Sequence, residues 1–133
     1  MGVFQLHRYL YDEQAVKVLI QNVTRSTILG DAITVADTSA TRKTGLLKHH
    51  SLEPGHGLWI KPCESIHTFF MKFAIDVVYV DRKMRVKKVV SAIPAWRMSA
   101  CLTAHSVIEL PAGVIQQTGT VKGDELTAVP ADS

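Results

Sequence analysis

The sequence predicts a mostly β domain: a small sandwich or distorted barrel of short strands, with one short helix at about residues 39–48 packed on it. Three observations carry this expectation. Segments rich in Val, Ile and aromatic residues recur at strand length. Turns built on Gly, Pro and Asp separate them. Only one proline-free stretch opens with helix-capping residues.

In chain order, Ala15 to Val23 is β-branched and predicts a strand. Thr24-Arg25-Ser26-Thr27 is a polar turn. Ile28 to Val35 is the hairpin partner, interrupted at Gly30-Asp31 by a bulge or a second turn. Asp37-Thr38-Ser39 supplies N-cap oxygens for the helix, Leu46 and Leu47 its apolar side, and Lys48-His49-His50 the positive charge that suits its C-terminal end. Pro54 to Gly57 is a loop. Leu58-Trp59-Ile60, His67 to Phe73 and Ile75 to Val80 follow as strands. Asp81-Arg82-Lys83 turns the chain back into Met84 to Val90, the clearest hairpin in the sequence. Ser106 to Leu110 and Glu125 to Val129 complete the set, with Gly113, Gly119 and Gly123 breaking the chain between them.

A chain of 133 residues fits one domain, 1–133, with residues 1–40 supplying N-terminal strands. A domain this size buries about two-thirds of its unfolded surface, so it needs no staple. Hydrophobic residues make up 47% and charged residues 20% of the chain, which excludes a disordered composition. Two cysteines do not make a disulfide framework. No apolar run reaches the roughly 18 residues of a membrane span, and the N-terminus lacks the pattern of a secretory signal. The expected setting is therefore the cytoplasm, without a membrane partner. The net charge of +3 is mild, and its basic group, Arg82 to Lys88, reads first as a solvated hairpin. Weak binding of nucleic acid or an acidic partner there is the lesser alternative.

From Arg42 onward an ordered series of motifs resembles the DUF192 family, an uncharacterised and mainly prokaryotic domain family. Arg42-Lys43-Thr44-Gly45-Leu46-Leu47 is similar to its Arg-x-x-Gly-Leu-Met helix, and Gly55-His56-Gly57-Leu58-Trp59 to its Gly-Met-Leu-Phe strand. His67 to Lys72 with Ile75-Asp76 resembles its aromatic-Met-Lys segment and the Leu-Asp that follows. Val107 to Gly113 resembles its Leu-Glu-Leu-x-x-Gly, and Gly123-Asp124 its closing Gly-Asp. The resemblance spans about residues 41–128. Phe70 and Phe73-Ala74 depart from the family's usual Trp and Asn-Thr. The resemblance implies an all-β core with the short helix packed on it, and no activity.

Several residue groups carry potential chemistry. Cys63 with His67 and Cys101 with His105 both read Cys-x3-His, the content of a Cys2His2 zinc set. In strands that spacing spans about 13 Å, too far for two ligands on one ion; in a helix it is about 6 Å and chelation is easy, and Pro62 suggests a loop at Cys63 that meets neither limit. Two small buried thiols and unrelated histidines are the plainer reading, and no metal or other cofactor is expected. The same residues would need a thiolate, a base and an oxyanion donor together to act as a nucleophilic site. His49, His50 and His56 read as a solvated helix end and loop. No phosphate loop, nucleophile elbow or His-Glu-x-x-His motif is present.

The more pointed group is polar residues among apolar ones. Asp76 and Glu109 sit inside β-type segments, Arg42 opens the helix, and Trp96-Arg97 follows Pro94. A carboxylate buried alone costs several kcal/mol, so each needs a partner. One reading pairs Arg42 or Arg97 with Asp76 or Glu109, or gives the carboxylates backbone groups to cap. The other makes them the polar floor of a pocket walled by Trp59, Phe70, Met71 and Trp96. In the strand expected at His67 to Phe73, His67, Phe69, Met71 and Phe73 share one face. The expected function is a binding or accessory module with a small cleft, its partner a small molecule or a protein. The alternative is a small hydrolase using His67 with Asp76 or Glu109.

Overall fold

The fold is described from a computed structural model for residues 16–37, 52–69 and 71–131. The helix expected at residues 39–48, together with Arg42 and Phe70, lies outside these residues. The strands are β1 (Lys17–Asn22), β2 (Thr27–Ala36), β3 (His56–Ile60), β4 (Ser65–His67), β5 (Ile75–Val80), β6 (Val86–Ile93), β7 (Met98–Ala100), β8 (Ser106–Pro111) and β9 (Leu126–Pro130). A helix α1 (Val114–Thr118) lies between β8 and β9.

Seven strands form one sheet in the order β6-β5-β8-β3-β2-β1-β9, and β4 and β7 form a separate two-stranded ribbon. All pairs are antiparallel except β2 with β3. The sheet curls until its edges meet. Arg85 bridges Glu125, Val86 N–H reaches the Asp124 carbonyl and Leu126 N–H the Met84 carbonyl. Asp124, buried at this closure, accepts from Arg25 Nε, Asn22 Nδ2 and Val121 N–H at 3.0–3.1 Å. Burial pushes its carboxyl up, but these hydrogen bonds and the Arg25 charge outweigh it and hold it below the usual carboxylate range.

The central strand β5, Ile-Asp-Val-Val-Tyr-Val, is buried at every position. Its two faces enter two cores. Ile75, Val77 and Tyr79 join Leu58, Ile60, Met71 and Val107 on one side, where Cys63, Ile66 and Cys101 at the ribbon pack against them. Val78 and Val80 join Ile33, Val35, Trp59, Ile108 and Leu110 on the other. Gly57 keeps β3 close to β8: a Cβ there would stand 2.7 Å from the Glu109 carbonyl oxygen.

The β1–β2 hairpin forms as expected, with β2 continuous and the irregularity expressed as register shifts around Ile20, which faces Gly30. The β5–β6 hairpin also forms, with a longer turn. Asp81 Oδ1 accepts from the N–H groups of Lys83 and Arg85, and Met84 adopts φ 63°.

Two expectations are corrected. His67 to Phe73 is not a strand: β4 ends at His67 and the chain turns. Buried Thr68 takes over, its carbonyl accepting from Met71 N–H and its hydroxyl bonding to the 94–97 loop instead of continuing a ladder. The shared face of His67, Phe69, Met71 and Phe73 therefore does not exist. The segment between Gly113 and Gly119 is a helix, both glycines being left-handed caps, at φ 103° and 72°. Asp76 is fully buried, and of the partners the sequence offers it, backbone groups rather than Arg97 fill its carboxylate. Its Oδ1 accepts from Ala92 N–H at 2.8 Å; its Oδ2 accepts from Gly113 N–H at 3.1 Å and Ile115 N–H at 2.8 Å. Between the Ile75–Ile93 and Val77–Val90 pairs, β6 carries an extra residue, and Ala92 takes φ 49°. The carboxylate thus fills a β-bulge and caps α1 at once.

Replacing Asp76 by Ala leaves three inward N–H groups without an acceptor. The expected loss is on the order of 3–5 kcal/mol, read as a lowered urea midpoint at unchanged denaturant slope.

Candidate functional site

The bulge at Ala92 and Pro94 at the end of β6 lead the chain into the loop that carries Trp96 and Arg97. Thr68 fastens that loop. Its hydroxyl donates to the Pro94 carbonyl at 2.6 Å and accepts from Arg97 N–H at 2.9 Å. Its carbonyl accepts from Trp96 N–H at 3.1 Å, and its own N–H donates to the Arg97 carbonyl at 2.9 Å. These bonds hold Trp96 at φ 65°, a left-handed conformation that a bulky residue seldom adopts. The indole is not buried in return: Trp96 is 57% exposed. It stacks on Phe69, centroids 5.7 Å apart, and Phe69 meets the His67 ring at 4.9 Å. Met98, paired with His67 across the ribbon, is 74% exposed. His67, Phe69, Trp96 and Met98 form an apolar ledge on the outer side of the β4–β7 ribbon. Arg97, also exposed, points its Nη1 to the Trp96 carbonyl at 3.4 Å.

Beneath the ribbon lies a second, polar cluster. Tyr79 is fully buried, and its hydroxyl faces the inward Ser99 hydroxyl without reaching hydrogen-bond geometry. Burial raises the Tyr79 phenol, and Cys63, Cys101 and Glu109 push the same way. Glu109 is 4% exposed, opposite Leu58 on β3 and Val77 on β5. Among the described residues no hydrogen bond or ion pair reaches its carboxylate, and burial pushes its pKa to about 7.

The expected site residues therefore separate. Trp96, His67 and Arg97 come together on the ledge. Met71 lies in the core beside Tyr79. Trp59 belongs to the opposite core, its indole N–H donating to Ser106 Oγ at 2.8 Å and its ring lying under Lys61 Nζ at 4.1 Å. Asp76 pairs with Leu110, the neighbour of Glu109, so the two carboxylates face opposite sides of the sheet. His67 stands on the solvent side of the ribbon, its Nδ1 accepting from Phe69 N–H at 3.3 Å. Among the described residues no hydrogen bond or ion pair joins it to either acid.

Cys63 and Cys101 are both drawn to Tyr79, yet Cys63 Sγ bonds to the Ser65 carbonyl at 3.0 Å and Cys101 Sγ contacts Thr103 Oγ1 at 3.5 Å. Among the described residues no group of three or more His, Cys, Asp or Glu is arranged to hold a metal ion. The basic hairpin spends part of its charge internally, Arg85 on Glu125 at 3.0 Å and Lys88 on the Ala100 carbonyl at 2.9 Å. No helix among the described residues is long and apolar enough to cross a membrane. Tyr79 and Thr68 escaped the sequence reading. A single Tyr alternating with Val77 in a strand that is aliphatic apart from Asp76 was the available signal for the first; none pointed to the second.

Glu109 sets a pH dependence. Its pKa is raised on folding from an ordinary 4.5 to about 7, so the stability of the neutral-acid state is complete below pH 4.5. That stability is lost as pH rises through 7. Urea midpoints between pH 4.5 and 8 are expected to fall by the equivalent of roughly 3 kcal/mol, and Glu109→Gln to flatten that fall. Parallel curves for the two proteins would contradict this.

Comparison with known proteins matches residues 20–128 to the model of the family DUF192, described as "Uncharacterized ACR". The match starts at Ile20, well before the motif series at Thr41. A UPF0127 protein of Thermococcus sibiricus is 32% identical over 114 residues, 81% of this chain and 73% of that protein. One of Thermococcus kodakarensis is 31% identical over 121 residues, 86% and 75% of the two chains. Among solved structures, a protein of unknown function from Novosphingobium aromaticivorans DSM 12444 superposes with a TM-score of 0.74. Its identity is 17%, over 89% of this chain and 90% of that one. A proposed transcription regulator of Sinorhizobium meliloti 1021 gives 0.73 at 19% identity, over 85% and 92%. At these identities the likeness is one of fold.

Proposed function

The chain belongs to the DUF192 family, and because that family's description assigns no activity, we propose from this chain's own surface that it is a binding module. Its recognition surface is the ledge of Phe69, Trp96 and Met98, and its ligand presents a flat apolar or aromatic group, on a small molecule or a peptide. One observation carries the reading: Trp96 is held at φ 65° in a loop that Thr68 fastens through hydrogen bonds to Pro94, Trp96 and Arg97, and is still 57% exposed. Strained backbone that the surroundings over-determine concentrates where a side chain must be presented. Burying an indole would account for such strain as packing; here the indole is displayed. A rigid aromatic loses little conformational entropy on binding and is a frequent anchor of recognition.

The test uses the natively purified protein and Trp96→Ala, which removes the displayed ring and relieves the strained residue of its bulk. Small molecules and peptides that co-purify with each are compared by mass spectrometry. The wild type is expected to retain a ligand that Trp96→Ala loses at least tenfold, with the urea midpoint of the variant equal or higher. Equal retention by both proteins would overturn the ledge as the recognition surface.

A further inference from the structure

A second concave surface lies apart from the ledge, between the β5–β6 turn and the turn that follows β7. Asp81, Arg82, Lys83, Arg85, Thr103, Ala104 and His105 line a depression of about 540 Å³, within the size range of small-molecule sites. Its walls are fixed by main chain. Asp81 N–H bonds the Arg85 carbonyl at 3.0 Å, His105 N–H the Val80 carbonyl at 2.8 Å, and the His105 carbonyl accepts from Cys63 N–H at 2.8 Å. The one carboxylate in the lining is turned to its own backbone, Oδ1 accepting from the N–H groups of Lys83 and Arg85 at 2.8 and 3.0 Å. Arg85 is shared with Glu125. The side chains of Arg82, Lys83 and His105 have no hydrogen-bond or ion-pair partner among the described residues.

We propose that this depression is an anion site that takes a phosphate-bearing small molecule, with Arg82 and Lys83 as its cationic arms, His105 opposite them and Arg85 behind. A guanidinium fork and an ammonium together suit the tetrahedral oxygens of a phosphate group. Neutralisation explains why the ligand is small. Asp81 and Glu125 interrupt the basic hairpin, and Lys88 is drawn off to the Ala100 carbonyl, so positive charge concentrates at one tip. It does not run as the stripe that a nucleic-acid backbone requires. The site does not depend on the Trp96 ledge, so either proposal can fail alone.

The probe is inorganic phosphate, titrated against amide chemical shifts at constant ionic strength with chloride as the control. Phosphate is expected to shift the amides of Arg82, Lys83 and Thr103 to His105 saturably, while chloride does not. Arg82→Ala with Lys83→Ala, both at exposed positions, is expected to weaken binding at least fivefold with the urea midpoint unchanged. His105→Gln, which leaves the hairpin intact, is expected to weaken it at least twofold. Equal shifts with chloride, or undiminished binding by both variants, would overturn the site. Tighter binding of a single-stranded oligonucleotide than of phosphate, with shifts spread over Lys87 and Lys88, would also overturn it in favour of a nucleic-acid surface.

Discussion

The Asp76 carboxylate is the point on which the rest of the described structure depends. It is fully buried, and among the described residues no ion pair reaches it. Three backbone N–H groups from two distant segments share its two oxygens. A carboxylate hydrogen-bonded in this way is satisfied without a cation, because each N–H dipole points at the charge. In exchange it determines two local conformations that neither segment specifies alone. Ala92 stays in a left-handed bulge, and the five-residue α1, which is too short to be stable by itself, starts where its oxygens stand.

The ledge follows from that bulge. By setting the direction in which β6 leaves the sheet, Asp76 brings Pro94 and Arg97 within reach of the Thr68 hydroxyl. Thr68 closes the loop and displays Trp96. The ribbon that carries the ledge has one face for each role. Ile66 and Ser99 turn in toward Tyr79, while His67 and Met98 turn out to solvent. Glu109 lies on the sheet face beneath, where burial without a described partner raises its pKa. The exposed ledge and the buried acid thus lie in separate layers, one on the ribbon and one on the sheet.

How much of this is legible in the sequence divides by distance along the chain. The β1–β2 and β5–β6 hairpins are local: β-branched runs meet across turn residues, and Gly30 marks the irregularity in the first. Asp76 and Glu109 are recognisable as carboxylates in apolar strands, and their burial follows. Their partners are not, because the bonds of Asp76 to Gly113 and Ile115 cross 37 and 39 residues. For the same reason α1 is hidden between two glycines that read as breaks. Thr68 to Phe73 misleads in the other direction. Its alternation of large apolar residues suggests a strand, but a single hydroxyl bonded 26 and 29 residues away turns the chain. Trp96 and Arg97 stand out beside Pro94, while nothing local shows that Trp96 is displayed and Arg97 unpaired with either acid.

Amide hydrogen exchange in Asp76→Asn tests this dependence most directly. Asparagine keeps one carbonyl oxygen and replaces the other acceptor with a donor. Exchange at Ala92, or at Gly113 and Ile115 together, is expected to accelerate at least tenfold, and the Trp96 indole resonance to shift although it touches none of them. Unchanged protection at all three amides, with an unmoved Trp96 resonance, would contradict the account.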